Sequence, residues 1–137
     1  MFRALVFIAV VAFAAAGDLN LSDKCLGCLC EAATGCNVNT CQGSICGPFS
    51  LTWAYWSDAG SVGGDFGKCA TDYKCAGDSV KNYMAKHQQD CNGDGKIDCD
   101  DFFRIHFLGA YGCRNSIQEI PHAMRYSQCK ARVGGFL

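Results

Sequence analysis

Between Asp90 and Asp101 the chain reads DCNGDGKIDCDD, with oxygen-bearing side chains at the first, third, fifth, ninth and twelfth places of a twelve-residue run. A hard cation such as Ca2+ is wrapped by a loop of this length when a glycine makes the sharp turn at the sixth place and a backbone carbonyl serves at the seventh. Asp90, Asn92, Asp94, Asp98 and Asp101 fill the oxygen places, Gly95 the sixth and Lys96 the seventh. Asp101 stands where Glu is usual, and its shorter side chain predicts weaker binding. The rival reading is an Asp/Asn/Gly turn held closed by cysteines, with no metal. The expected role of the ion is structural, anchoring the helix that carries His106.

The second set of reactive side chains is the twelve cysteines, at 25, 28, 30, 36, 41, 46, 69, 75, 91, 99, 113 and 129. Cys25-Leu-Gly-Cys28 has the spacing of a zinc pair, but no second pair or His-rich partner follows to complete four ligands. Met1-Phe2-Arg3 followed by the apolar run Ala4 to Ala16 reads as a secretory signal peptide over residues 1–16, too short to span a bilayer comfortably, with one domain over 17–137. An even, dense cysteine set in an exported chain predicts disulfides. Removing Arg3 with the leader leaves 11 basic against 13 acidic residues, a net charge of −2, which argues against nucleic acid as a partner. Asn20-Leu21-Ser22 is a glycosylation sequon at the expected mature N-terminus.

These groups need elements to hold them. A helix is expected over Leu26–Thr34, capped by Ser22 or Asp23 and stopped by Gly35. Pro48 to Asp58 is aromatic and apolar and reads as core, and Ala59 to Gly67 as a glycine-rich loop. From Ser79 to Gln88, Val80, Tyr83, Met84 and His87 recur at helical spacing. A further short helix over Phe102–Leu108 ends at Gly109, and the stretch from Ala110 onward is mixed, with a flexible VGGFL tail.

Read together, Cys25-Leu-Gly-Cys28-Leu-Cys30, Gly35-Cys36, Cys41, Cys46-Gly47-Pro48-Phe49, Tyr55-Trp56, Asp58 and Gly60 resemble the invertebrate-type lysozymes, the destabilase family. Cys69-Ala70, Cys75-Ala76, Tyr83-Met84, Arg104, His106 and Gly112-Cys113 continue the resemblance over almost the whole mature chain. It implies an α+β, disulfide-rich lysozyme-like fold of short helices with a small antiparallel sheet beside a glycan groove. It also implies the local bridges Cys30 with Cys36, Cys41 with Cys46 and Cys69 with Cys75, and a bridge common in the family that falls on Ala59 and Ser79 and is lost here. The partners of Cys25, Cys28, Cys91, Cys99, Cys113 and Cys129 stay open.

Glycoside hydrolysis requires a protonated acid on the leaving oxygen and a second, ionised carboxylate. The family's acid is a Glu three residues after the third cysteine of the opening motif, and that place holds Ala33. Its second carboxylate belongs between Cys41 and Cys46, where Gln42-Gly43-Ser44-Ile45 has none. Glu31, two residues from position 33, lies about 200° around a helix axis and should point away from the groove. Asp58 and Asp65 carry no sign of a paired site. The expectation is a secreted protein of defence or digestion that binds peptidoglycan or another polysaccharide with little muramidase activity. Phe49, Trp53, Tyr55 and Trp56 are either sugar-stacking surfaces or core. The alternatives are a glycosidase with relocated carboxylates, an isopeptidase using Ser44 and His106, which matches the family histidine, or a disulfide scaffold that only presents surface.

Overall fold

The computed structural model describes residues 18–117 and 120–135, so the expected signal peptide lies outside the described residues. The first helix, α1, runs over Asp23–Thr34, starting three residues earlier than the apolar pattern alone suggests. Ser22 accepts from the Cys25 amide at its start, and Gly35, at φ 70°, returns its N–H to the last carbonyls. Polar residues at the first turn tolerate helical geometry once capped, which is why the helix outruns its apolar face.

A hairpin follows, β1 (Cys41–Gln42) against β2 (Ile45–Cys46), with Cys41 opposite Cys46 and Gln42 opposite Ile45. Gly43 makes its two-residue turn at φ 62°, a conformation that favours glycine. At Gly47 the backbone passes so close to the next layer that a Cβ would fall on the carbonyl oxygen of Ala70. Four more helices complete the main body: α2 (Trp53–Asp58), α3 (Phe66–Ala70), α4 (Tyr73–His87) and α5 (Cys99–Leu108). Thr52, Asp65, Asp72 and Asp98 cap them in that order.

The last helix, α6, spans His122–Val133 in the stretch read as mixed, and Val133, the first residue of the supposed tail, belongs to it. The core is α1, α4 and α5 closing on the segment after the hairpin: Leu29, Phe49, Leu51, Val80, Met84, Phe102, Phe103 and Ile105 are fully buried. The expected aromatic core segment divides, since Phe49 and Trp56 are buried whereas Trp53 is 60% exposed.

The cysteines left open bridge Cys25 to Cys99, Cys28 to Cys129 and Cys91 to Cys113. Positions 25 and 28 are one helical turn apart, so one face of α1 is bolted to α5 and to α6. The structure also closes Cys30–Cys36, Cys41–Cys46 and Cys69–Cys75. Ala59 and Ser79 are both buried, and the Ser79 hydroxyl donates to the Cys75 carbonyl, 2.9 Å away.

Candidate functional site

Where α1 ends, the hairpin and the start of α6 leave a cleft of about 490 Å³ lined by Ala33, Thr34, Thr40, Gln42, Ser50 and His122. Ala33 is in the last turn of α1, with 8% of its surface exposed. Thr34 anchors that turn, donating its hydroxyl proton to the Pro48 carbonyl (2.8 Å) and accepting from the Asn37 amide (3.0 Å). Ser50, opposite, is held at φ 53°, a strained conformation for a residue with a side chain. Among the described residues no carboxylate lines this cleft.

The acids considered as substitutes are committed elsewhere. Glu31 is ion-paired with Arg132 of α6, and the guanidinium hydrogen bond holds its carboxyl below the ordinary carboxylate range. A general acid needs the opposite shift. Asp58 binds Lys86 and His87, and those two partners lower its pKa as well. Asp65 caps α3, accepting from the Lys68 amide at 3.0 Å.

Ser44 and His106 are not joined by a hydrogen bond. Ser44 is exposed in the hairpin turn. His106, partly buried on α5, has both ring nitrogens occupied: Nε2–H donates to the Phe49 carbonyl (2.8 Å) and Nδ1 accepts from the Tyr55 hydroxyl (3.0 Å). A base must have a free lone pair facing its nucleophile, so this ring is built as a strut between α5 and the 49–55 segment. Burial lowers its pKa from 6.5 to about 4, against the smaller opposing effect of the Phe49 bond.

That depression has a consequence for stability. Above about pH 6.5 the ring is neutral in both states; as pH falls below this, the unfolded chain takes up a proton that the folded one refuses until about pH 4. The folded state is therefore expected to lose about 2–3 kcal/mol between pH 6.5 and 4 through this one group. Urea unfolding at pH 7 and pH 4 checks it: the loss should shrink by that amount in His106→Gln, and an unchanged pH dependence in the variant would remove His106 as its cause.

In the Asp-rich loop, Asp90, Asp94 and Asp101 bring carboxylate oxygens within 4.8 Å of one another, a spacing that one shared cation can bridge. Asp98 is outside that set and caps α5, accepting from the Asp100 amide, and Asn92 accepts from the Asp94 amide. Lys96 donates its own amide to Asp94. Asp101 is fully buried, with its two oxygens on the amides of Cys91 (2.8 Å) and Asp98 (2.9 Å). Burial, followed by the charges of Asp100, Asp101 and Asp94, raises the pKa of Asp98. The two loop cysteines do not pair with each other; each bridges outward, to Cys113 and to Cys25.

Residue His122, to which the sequence attached no motif, is brought into the cleft by α6. Its Nδ1 lies 2.9 Å from the Ala32 carbonyl, and its ring stacks on Phe107 with centroids 4.6 Å apart. The aromatic candidates are placed away from this wall: Tyr55 stacks on Tyr83 at 3.8 Å, and Trp56 donates its indole N–H to the Val62 carbonyl.

Residues 22–129 match the Destabilase family. Lysozyme 1 of Crassostrea virginica is 38% identical over 103 residues, which are 72% of this chain and 55% of the oyster protein. The lysozyme of Magallana gigas is 33% identical over 115 residues, covering 80% of this chain and 77% of its own length. Among solved structures, a chain of the complex between Aeromonas hydrophila PliI and Meretrix lusoria lysozyme superposes with a TM-score of 0.69 at 31% identity, covering 85% of this chain and 96% of that one.

Proposed function

Because the chain belongs to the destabilase family, the lysozymes of invertebrate type, we propose that it is a secreted glycan-binding protein that keeps the lysozyme cleft and does not hydrolyse what it binds. The observation that carries this is Ala33, in the last turn of α1 on the wall of a cleft that no described carboxylate lines. Without an acid to protonate the leaving oxygen and a second carboxylate on the far side of the sugar, the glycosidic bond has no low-barrier route. The polar wall that remains, Thr40, Gln42, Ser50 and His122, is suited to hydroxyl and acetamido groups, so peptidoglycan or a related polysaccharide is the ligand.

Two alternatives are weaker on the same geometry. A glycosidase with relocated acids needs one in the cleft, and Glu31 and Asp58 are ion-paired outside it. An isopeptidase built on Ser44 and His106 needs a free imidazole nitrogen, and His106 has none.

The test is retention on insoluble peptidoglycan. The folded, leader-free protein is expected to sediment with the wall material and to release no reducing ends from it. Protein left wholly in the supernatant would defeat the binding reading, and reducing ends released in proportion to protein would defeat the inactive one.

The loop of residues 90–101 is read as a structural calcium site supporting the start of α5, an assignment supported by the convergence of Asp90, Asp94 and Asp101. Millimolar Ca2+ should then raise the melting temperature by several degrees over a chelator-treated sample. Identical melting in the two samples would leave the loop as a hydrogen-bonded turn.

A further inference from the structure

We infer that His122 is the recognition residue of the cleft, presenting a bare Nε2 to a hydroxyl or amide N–H of the bound glycan. The inference rests on the glycan-binding reading above and adds to it the atom that selects the ligand.

The argument begins at the end of α1, where the last carbonyls of a helix lack intrahelical partners. Gly35 and Cys36 return their amides to the carbonyls of Glu31 and Cys30, and the Ala32 carbonyl accepts instead from His122 Nδ1, 2.9 Å away. A carbonyl has no proton to give, so Nδ1 must carry one. In the neutral imidazole Nε2 is then unprotonated and can only accept.

Nε2 makes no hydrogen bond to any described residue, and His122 lines the cleft. The ring cannot turn away: one edge is fixed by Ala32 and one face is covered by Phe107. Of the other polar groups on the wall, the Thr34 hydroxyl is already spent on the Pro48 carbonyl and the Asn37 amide. His122 is therefore a preorganised acceptor, and an acceptor fixed before binding loses less freedom when the ligand arrives.

Among the described residues lining the cleft there is no Lys or Arg, and an acceptor without a cation beside it favours a neutral donor over an anion. Ala33 and Ile45 add small apolar surface to the same cleft, which suits an acetamido methyl. The ligand class is a neutral, N-acetylated or hydroxyl-rich hexose chain.

The experiment titrates triacetylchitotriose into the unmodified protein, His122→Asn and His122→Gln by calorimetry, with melting curves for each. Asparagine can still donate to the Ala32 carbonyl but places nothing at the Nε2 position, whereas glutamine reaches that position. His122→Asn is expected to bind about 3–10-fold more weakly, as for one lost hydrogen bond, with His122→Gln nearer the unmodified protein. In the unmodified protein the nitrogen resonance of His122 Nε2 should shift on adding the sugar, a response that a purely structural ring would not give. Equal binding by His122→Asn, or an Nε2 resonance that does not move as the site saturates, would overturn this inference and leave the glycan-binding reading standing. Failure of the unmodified protein to bind either triacetylchitotriose or peptidoglycan would overturn both.

Discussion

Ala33→Glu combined with Gln42→Asp is expected to raise the rate of cell-wall clearing at least about 100-fold over the unmodified protein, because a general acid alone typically contributes 10² to 10⁴-fold. The two positions differ in the way the chemistry requires. Position 33 is in the last turn of α1, 8% exposed, where burial and the negative end of the helix dipole both disfavour a carboxylate and keep an acid protonated. Position 42 is on the exposed hairpin strand of the same cleft, where a carboxylate stays ionised. Each single variant should stay near background, since a proton donor without a partner carboxylate, or the reverse, completes only half of the displacement. A double variant that melts like the parent and clears nothing would mean that the cleft has been rebuilt beyond the two positions.

The second large effect is on stability. Removing the Cys28–Cys129 bridge as a Cys28→Ser, Cys129→Ser pair is expected to cost about 3–4 kcal/mol. The bridge spans 101 residues of sequence, but Cys25–Cys99 and Cys91–Cys113 already shorten the path, so the loop it closes is roughly thirty residues, and the chain-entropy estimate falls accordingly. Within α6 only Tyr126 and Cys129 are buried, so the bridge is the covalent tie of that helix to α1, beside the Arg132–Glu31 ion pair and the His122–Ala32 hydrogen bond. Urea unfolding measures the loss, and helix content should fall at the same time as α6 frays. A loss under about 1 kcal/mol would show that the contacts of Tyr126 and Lys130 with Asp100 suffice to dock α6.

Those energetics explain which parts of the fold could be read from the residues. The start and stop of α1 were marked by Ser22 and Gly35, and the inner face of α4 by Val80 and Met84, because capping and burial leave local signatures. The last helix had a weaker local signature: Pro121 provides no side-chain cap, and the face that Ala123, Tyr126, Cys129 and Val133 make at helical spacing is narrow. The three long-range bridges were hidden, since nothing near Cys25 or Cys28 encodes a partner more than seventy residues away. At the cleft, Ala33 was singled out by the family resemblance, counting from the third cysteine of the opening motif, and α1 places it on the cleft wall. His122 was not singled out, because it reaches the cleft only through the docking of α6. Ser44 and His106 were a pair by motif alone, and the bonds of His106 to Phe49 and Tyr55 are invisible before the chain is folded.

The most direct test of the central claim is turbidity clearing of purified bacterial walls by the unmodified, leader-free protein, measured beside the Ala33→Glu, Gln42→Asp variant at equal concentration. The account predicts no clearing above buffer by the unmodified protein and clearing by the variant. Clearing by the unmodified protein at a rate like the variant's would contradict it and require an acid outside the described wall of the cleft.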